Sequence, residues 1–266
     1  MTSTFGEPSS FIPLESAPSD KCGACGAAEK LGFKFDFAYQ PIVDVVSRNN
    51  FAHEALVRGP AGEGALSVLS QVTQGNRYRF DQACRVKAIK TAVQLGVKEK
   101  LSINFLPNAV YKPEVCIRTT LEAARTHNFP IDHIIFEVTE GERVEDGPWL
   151  ASILREYKRQ GMLTAIDDFG AGYAGLTLLA DFTPDFIKLD MALVRGIEGS
   201  KSRQAIARGM LRICQELGIQ VIAEGIETAN ERDFFLHEGV RLMQGYLFAR
   251  PSFRAITPVT PESWPA

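Results

Sequence analysis

The sequence predicts an α/β fold in which eight strands close into a barrel, and three observations carry that expectation. Strand-like and helix-like stretches alternate through most of the 266 residues, a pattern that implies a parallel sheet with right-handed crossovers. An early pair of strands, at 37–43 and 51–58, is joined by a connection too short for a crossover helix, so the pair is antiparallel. Single polar groups end short apolar runs, spaced by roughly twenty to fifty residues: Glu54, Asn104, Glu137, Asp167 with Asp168, Lys188, Glu224 and Gln244. If these strands share one barrel, their C-terminal ends converge on a single site.

Residues 1–32 are rich in Ser, Gly, Pro and Ala and lack periodicity, which predicts a poorly ordered N-terminal extension. The folded domain is expected over residues 33–256 and a C-terminal tail over 257–266. Phe37-Ala38-Tyr39-Gln40-Pro41-Ile42-Val43 reads as the first strand, and 44–50 turns the chain back into the second. Apolar positions at three- and four-residue spacing predict helices at 65–74, 80–95, 114–127, 148–160, 202–217 and 228–238. Strands fit between them at 101–105, 133–138, 163–168, 185–189, 219–224 and 242–248. An open doubly wound sheet would present a glycine-rich phosphate loop after an early strand. Gly23-Ala24-Cys25-Gly26 instead precedes the first strand, which favours the closed barrel.

Composition narrows the function classes. Hydrophobic residues make up 45% of the chain, enough for one large core. Lys plus Arg (29) nearly balance Asp plus Glu (32), so bulk charge supplies no field for a DNA or RNA polymer. The opening residues Met1 to Pro8 lack the basic region and apolar core of a secretory signal, and no stretch has the apolar length to span a bilayer. Five scattered cysteines in a chain of this size fit a reduced, cytoplasmic setting. Cys22-Gly23-Ala24-Cys25 has the spacing of half a zinc site or of a redox dithiol. No second such pair and no nearby His pair completes a ligand set within the chain, so it is read as an incidental pair in the extension.

The strand-end groups carry the chemistry. Asp167 and Asp168 are neighbours, and neighbouring side chains on a strand point to opposite faces, so the strand must end or twist there for both to reach one site. Two carboxylates about 4 Å apart repel by about 4 kcal/mol at an effective dielectric near 20. Adding Glu54, Glu137 and Glu224 makes a cluster that calls for cations or raised pKa values. Oxygen donors without cysteine select a hard divalent ion, Mg²⁺ or Mn²⁺ rather than Zn²⁺. His53, His127, His133 and His237 have no zinc-motif spacing, and His53 should point away from Glu54. A pair of such ions can hold a hydroxide and a phosphodiester oxygen together. Lys188 reads either as a salt-bridge partner or as a group that orients water and offsets developing charge.

In combination, the motifs Tyr39-Gln40-Pro41-Ile42, Glu54-Ala55-Leu56-Val57-Arg58, Asn104 with Pro107, Glu137-Val138-Thr139-Glu140, Asp167-Asp168-Phe169-Gly170, Lys188-Leu189-Asp190, Ala223-Glu224-Gly225-Ile226-Glu227 and Gln244-Gly245-Tyr246 resemble the EAL-type cyclic di-GMP phosphodiesterases. The resemblance covers roughly residues 35–251. It implies a modified (β/α)8 TIM-like barrel with one antiparallel strand, in agreement with the early hairpin. It implies metal ligation by Glu54, Asn104, Glu137, Asp167 and Asp168, with two ions per site and Glu224 in the same network. It further implies that Lys188 contacts the catalytic water, that Arg58 binds phosphate through its planar fork, and that Gln40, Asp190 and Gln244 line the substrate site.

The same resemblance makes 168–176 a loop beside the metals, braced by Glu140, and implies a homodimer. Gly59 stands where a bulky aromatic is common in the family, and Ala171, Ala174 and Gly175 replace loop hydroxyls; no metal-ligand position is substituted. Asp168-Phe169-Gly170 is also the DFG triplet of protein kinases, but no glycine-rich nucleotide loop or HRD-type loop accompanies it. The expected activity is metal-dependent hydrolysis of cyclic di-GMP to linear pGpG. One rival is a receptor that binds the nucleotide through Arg58, Gln40 and the pocket walls without cutting it, and a second is a protein-interaction domain that binds no nucleotide, against which Arg58 and the full acidic ring argue. No sensory domain or regulatory partner is legible in the chain.

Overall fold

The computed structural model describes residues 31–139, 147–171 and 175–265. Glu140, Cys22 and Cys25 lie outside the described residues. Eight strands close the barrel: β1 (Asp36–Asp44), β2 (Asn49–Arg58), β3 (Lys100–Asn104), β4 (Ile134–Thr139), β5 (Leu163–Phe169), β6 (Phe186–Leu189), β7 (Gln220–Ala223) and β8 (Leu242–Met243). Neighbours from β2 through β8 run parallel, and β1 closes the ring antiparallel to both β2 and β8. A short β9 (Ser252–Phe253) pairs with β1. The expected modified barrel with one reversed strand is the observed fold.

The hairpin that reverses β1 is set by its turn. Asp44 Oδ1 accepts from the backbone N–H of Val46 at 2.9 Å and of Ser47 at 3.2 Å, a side-chain-closed turn of the kind that favours Asp. The helices are α1 (Leu66–Leu69), α2 (Arg77–Gln94), α3 (Pro113–Cys116), α4 (Arg118–Thr126), α5 (Gly147–Arg159), α6 (Gly175–Asp181), α7 (Met191–Val194), α8 (Lys201–Leu217) and α9 (Ala229–His237). Their ends follow local chemistry. Thr228 and Glu231 form a capping box at the start of α9, and Gly218, at φ 71°, terminates α8 in the left-handed conformation.

Three expectations are corrected. The helix expected at 65–74 ends at Leu69, and Asn76 then bends the chain by accepting from Thr73 N (2.8 Å) and donating to Gln71 O (3.0 Å). The strand expected at 242–248 stops at Met243. There the chain crosses Ile226 so closely that a Cβ on Gly245 would lie 2.0 Å from the Ile226 carbonyl oxygen, and Ile226 N donates to Gln244 O at 3.1 Å. The helices α6 and α7 were not expected; at seven and four residues they are too short for a legible period. Residues 257–265 pack onto the barrel through Thr260 N to Phe248 O (2.9 Å) and Arg232 Nη1 to Ser263 O (2.7 Å). No helix among the described residues is long and apolar enough to cross a membrane.

The core has two parts. One lies between the strands and the surrounding helices. The other fills the barrel itself with Ile42, Ala52, Ile135, Ala165, Phe186, Ile222 and Leu242, one from each of seven strands. This inner plug sets the floor of the site. Side chains alternate along a strand, so the next inward position lies two residues on. In β2 and β4 through β8 that step leads from Ala52 to Glu54, Ile135 to Glu137, Ala165 to Asp167, Phe186 to Lys188, Ile222 to Glu224 and Leu242 to Gln244. In the reversed β1 the same step runs backwards, from Ile42 to Gln40, which pairs directly opposite Glu54.

Candidate metal centre at the C-terminal face of the barrel

Lys188 occupies the centre of the polar layer. Its ammonium lies 2.7 Å from Glu224 Oε1, 3.0 Å from Glu137 Oε2, 3.1 Å from Asp167 Oδ1 and 3.4 Å from Glu54 Oε2, and its side chain is fully buried. β6 can place it there because Phe186 and Lys188 face inward while Ile187 and Leu189 join the outer core. Both readings of Lys188 therefore begin from one fact: it is the common ion-pair partner of four carboxylates.

The remaining predicted ligands surround it. Asn104 Nδ2 donates to Glu54 Oε1 at 3.0 Å, which leaves the amide oxygen as its possible metal donor. Asp168 follows Asp167 at φ 53°, and β5 shifts register against β6 between Ile166 and Phe169. That left-handed residue is the required break in the strand, and it brings Asp168 into one cluster with Asp167 and Glu224. Asp168 N also donates to Asp167 Oδ1 at 2.9 Å. Gln244 Nε2 donates to Glu54 Oε2 at 2.8 Å and to Gln40 Oε1 at 3.3 Å, while Gln40 Nε2 donates to Ala249 O at 3.1 Å.

Arg58 and Asp190 stand outside this network. Arg58 follows Glu54 by four residues on β2, so it lies about 13 Å further along the strand on the same face. Its guanidinium donates to Val57 O at 2.8 Å. Asp190 caps α7 by accepting from Ala192 N at 2.8 Å. The residue that the sequence reading missed is Ser102, which donates its hydroxyl to Glu137 Oε1 in the buried layer. Its signal was its place two residues before Asn104, on the same face of β3. His53 points away from Glu54 as expected, and its Nδ1 lies 3.9 Å from Glu99 at the barrel exterior.

Four carboxyl groups thus share one ammonium and Asp168 adjoins them, and burial together with this crowding raises the pKa values of Glu137, Glu224 and Asp168. Burial pushes Glu137 up to about 8, against the pull of Lys188, with Glu54 and Asp167 adding to the rise. Burial likewise holds Glu224 well above the ordinary carboxylate range although Lys188 opposes it. Asp168 is raised to about 6 by burial, then by Asp167 and Asp190. For Lys188, burial works against the charged form, but Asp167, Glu137, Glu224 and Glu54 outweigh it and hold the ammonium well above its ordinary value.

The donor chemistry fits hard divalent cations. Carboxylate oxygens of Glu54, Glu137 and Asp167 lie within 4.8 Å of one another, as do those of Asp167, Asp168 and Glu224, so two overlapping triads share Asp167. Neither triad contains sulfur or imidazole. Gln244 Oε1 is buried with no hydrogen-bond partner among the described residues, a further oxygen available at the same place.

A closed barrel with an oxygen-only acidic centre at the C-terminal ends of its strands defines a class of metal-binding α/β barrel. Comparison with known proteins narrows the class. The family model described as "EAL domain" matches residues 29–251, and the chain belongs to that family. Among curated relatives, the blue light- and temperature-regulated antirepressor BluF of Escherichia coli (strain K12) is 33% identical over 230 residues, covering 86% of this chain and 56% of BluF. The cyclic di-GMP phosphodiesterase PdeR of the same strain is 39% identical over 158 residues, covering 59% of this chain and 23% of PdeR. The chain therefore spans a little over half of one of these relatives and about a quarter of the other.

Among solved structures, a standalone versatile EAL protein from Vibrio cholerae O395 in a c-di-GMP-bound form is 52% identical with a TM-score of 0.86, covering 89% of this chain and all of that one. Klebsiella pneumoniae BlrP1 in a manganese/cy-diGMP complex at pH 9.0 is 37% identical with a TM-score of 0.80, covering 88% of this chain and 60% of that one.

The raised Glu137 gives a signed expectation for metal-free protein held in chelator. A carboxyl whose folded pKa exceeds its unfolded value binds a proton on folding between the two, so stability falls as pH rises through that window. For Glu137 the window runs from 4.5 to about 8. Glu137→Gln should leave the melting temperature nearly unchanged at pH 5 and raise it relative to the unmodified protein at pH 8. A variant whose advantage shrinks with rising pH would contradict this electrostatic picture.

Proposed function

We propose that the protein is a metal-dependent phosphodiesterase that hydrolyses cyclic di-GMP to linear pGpG, and so lowers this second messenger. The observation that carries the reading is the pair of acidic triads sharing Asp167, a donor set for two hard cations on one face of a phosphodiester. Ligand-bound relatives support the substrate: the Vibrio cholerae and Klebsiella pneumoniae structures are described as complexes with this nucleotide, the latter with manganese.

In this reading Glu54, Asn104, Glu137, Asp167 and Asp168 would hold two Mg²⁺ or Mn²⁺ ions. Bound divalent ions supply Lewis-acid charge and water of lowered pKa at neutral pH. Lys188 holds Glu54, Glu137, Asp167 and Glu224 converged, and its ammonium would orient the attacking water and offset charge that develops at phosphorus. Glu224 takes part through its 2.7 Å ion pair with Lys188 and its place in the second triad. Water would give up one proton as it forms a new P–O bond in line at one phosphorus, the opposite P–O bond to ribose would break, and that oxygen would take up a proton, so the ring opens with no net change in protons. Arg58, at the barrel mouth, grips a phosphate through its fork, while Gln40, Asp190 and Gln244 contact the nucleotide.

A receptor that binds the nucleotide without cutting it is favoured by one fact, that BluF is named an antirepressor. Chromatography separates the two readings. With Mg²⁺ or Mn²⁺ the purified protein should convert cyclic di-GMP to pGpG. Chelator or Ca²⁺, whose looser coordination spoils in-line geometry, should stop conversion. Glu54→Ala and Lys188→Ala should each cut turnover by about a hundredfold or more. Binding with no conversion in Mg²⁺ and Mn²⁺ would favour the receptor.

The homodimer follows from the family resemblance, and α8 offers a surface that would serve it. Ile206, Met210, Ile213 and Leu217 recur at helical spacing, and Ile206, Ile213 and Leu217 are exposed at 55%, 38% and 42%. A second copy would cover this stripe. Gly170 of the site loop sits against it, since a Cβ there would lie 3.1 Å from Met210 Cε, so dimerisation would reach the loop beside the metals. The buried thiols of Cys84 and Cys214 suit a cytoplasmic location. Ile213→Glu should yield a monomer in light-scattering chromatography where the unmodified protein is a dimer. A dimer that survives this change would place the interface elsewhere.

A further inference from the structure

A buried ion pair lies behind the acidic centre, on the outer side of the barrel wall. Asp81 and Arg85 sit one turn apart on α2, with Arg85 Nη2 2.7 Å from Asp81 Oδ2, and neither side chain is exposed by more than 1%. Arg85 Nη1 also donates to the Tyr157 hydroxyl of α5 at 2.8 Å. Its guanidinium carbon lies 4.8 Å from the Phe136 ring centre, 5.3 Å from Tyr157 and 5.5 Å from Phe105. The three rings pack on one another at 4.8–5.7 Å. On stability alone this arrangement is not needed, because a buried ion pair can often be replaced by apolar groups at no cost.

Its position gives it a purpose. Phe105 follows Asn104 and Phe136 precedes Glu137, so the rings that Arg85 grips face outward from the chain positions adjoining two proposed metal ligands facing inward. Asp81 Oδ1 accepts from Leu106 N at 3.0 Å, tethering the segment that leaves β3. Phe105 N donates to Glu137 O at 3.0 Å, joining the two strand ends. We propose that Asp81, Arg85 and Tyr157 form a positioning clamp that fixes the ends of β3 and β4 and thereby sets the metal affinity of Asn104 and Glu137. This rests on the metal-dependent reading above. Groups that orient metal ligands from behind typically govern affinity by 10–100-fold.

The test is Mn²⁺ binding to the full chain without nucleotide, read by electron paramagnetic resonance of the free ion, alongside thermal melting. The double variant Asp81→Leu with Arg85→Met removes both charges together and avoids an uncompensated buried ion. It should melt near the unmodified protein yet bind Mn²⁺ about tenfold more weakly. A folded double variant with unchanged Mn²⁺ affinity would overturn the clamp. Should that variant fail to fold, Tyr157→Phe, which removes only the hydroxyl, decides: weakened Mn²⁺ binding supports the clamp and unchanged binding overturns it. If the unmodified protein itself binds no Mn²⁺, the metal reading fails and takes the clamp with it, an outcome distinct from failure of the clamp alone.

Discussion

One buried ammonium organises this molecule's chemistry. Each contact of Lys188 with a carboxylate near 3 Å has a gross attraction of about 5 kcal/mol at an effective dielectric near 20, and desolvation of each ion offsets several kcal/mol of that. The balance is favourable to the lysine, which has four partners, and unfavourable to the carboxylates, which have one ammonium among them. Burial, and then that imbalance, weakens Glu137, Asp168 and Glu224 as acids. An acidic centre built this way is stabilised by further positive charge and is aimed at it.

The barrel makes the imbalance tolerable by geometry. A plug of Ile42, Ala52, Ile135, Ala165, Phe186, Ile222 and Leu242 keeps water from the lower interior and holds the strands at fixed spacing. The polar layer sits one inward step above it, so backbone pairing between strands also sets the distances between charges. Reversal of β1 brings Gln40 opposite Glu54, and Gln244 links the two where the ring closes. Behind the wall, the aromatic packing around Arg85 adjoins Asn104 and Glu137 from the other side.

Much of this was legible because a two-residue period carries both burial and function. The short apolar runs that Glu54, Glu137, Asp167, Glu224 and Gln244 end marked those groups as strand ends, and the short link after Asp44 marked the reversed strand. Asp168 was legible as a contradiction, since two adjacent inward carboxylates require a broken strand, and its left-handed backbone resolves it. Ser102 was not singled out, because one hydroxyl in an apolar run is ordinary until its partner is known. The Asp81–Arg85 pair was hidden for a related reason: on a helix, charges four apart usually form a solvated pair, and only the three-dimensional packing buries this one. The short α6 and α7 and the early end of β8 depend on contacts distant in sequence, such as Gly245 against Ile226.

The two triads sharing Asp167 are proposed to hold two hard cations that act on a phosphodiester. Anomalous scattering from crystals of the protein grown with Mn²⁺ tests this most directly. Two peaks flanking Asp167 are predicted, one among Glu54, Asn104 and Glu137 and one beside Asp168. A single peak, or Mn²⁺ bound away from Asp167, would contradict it.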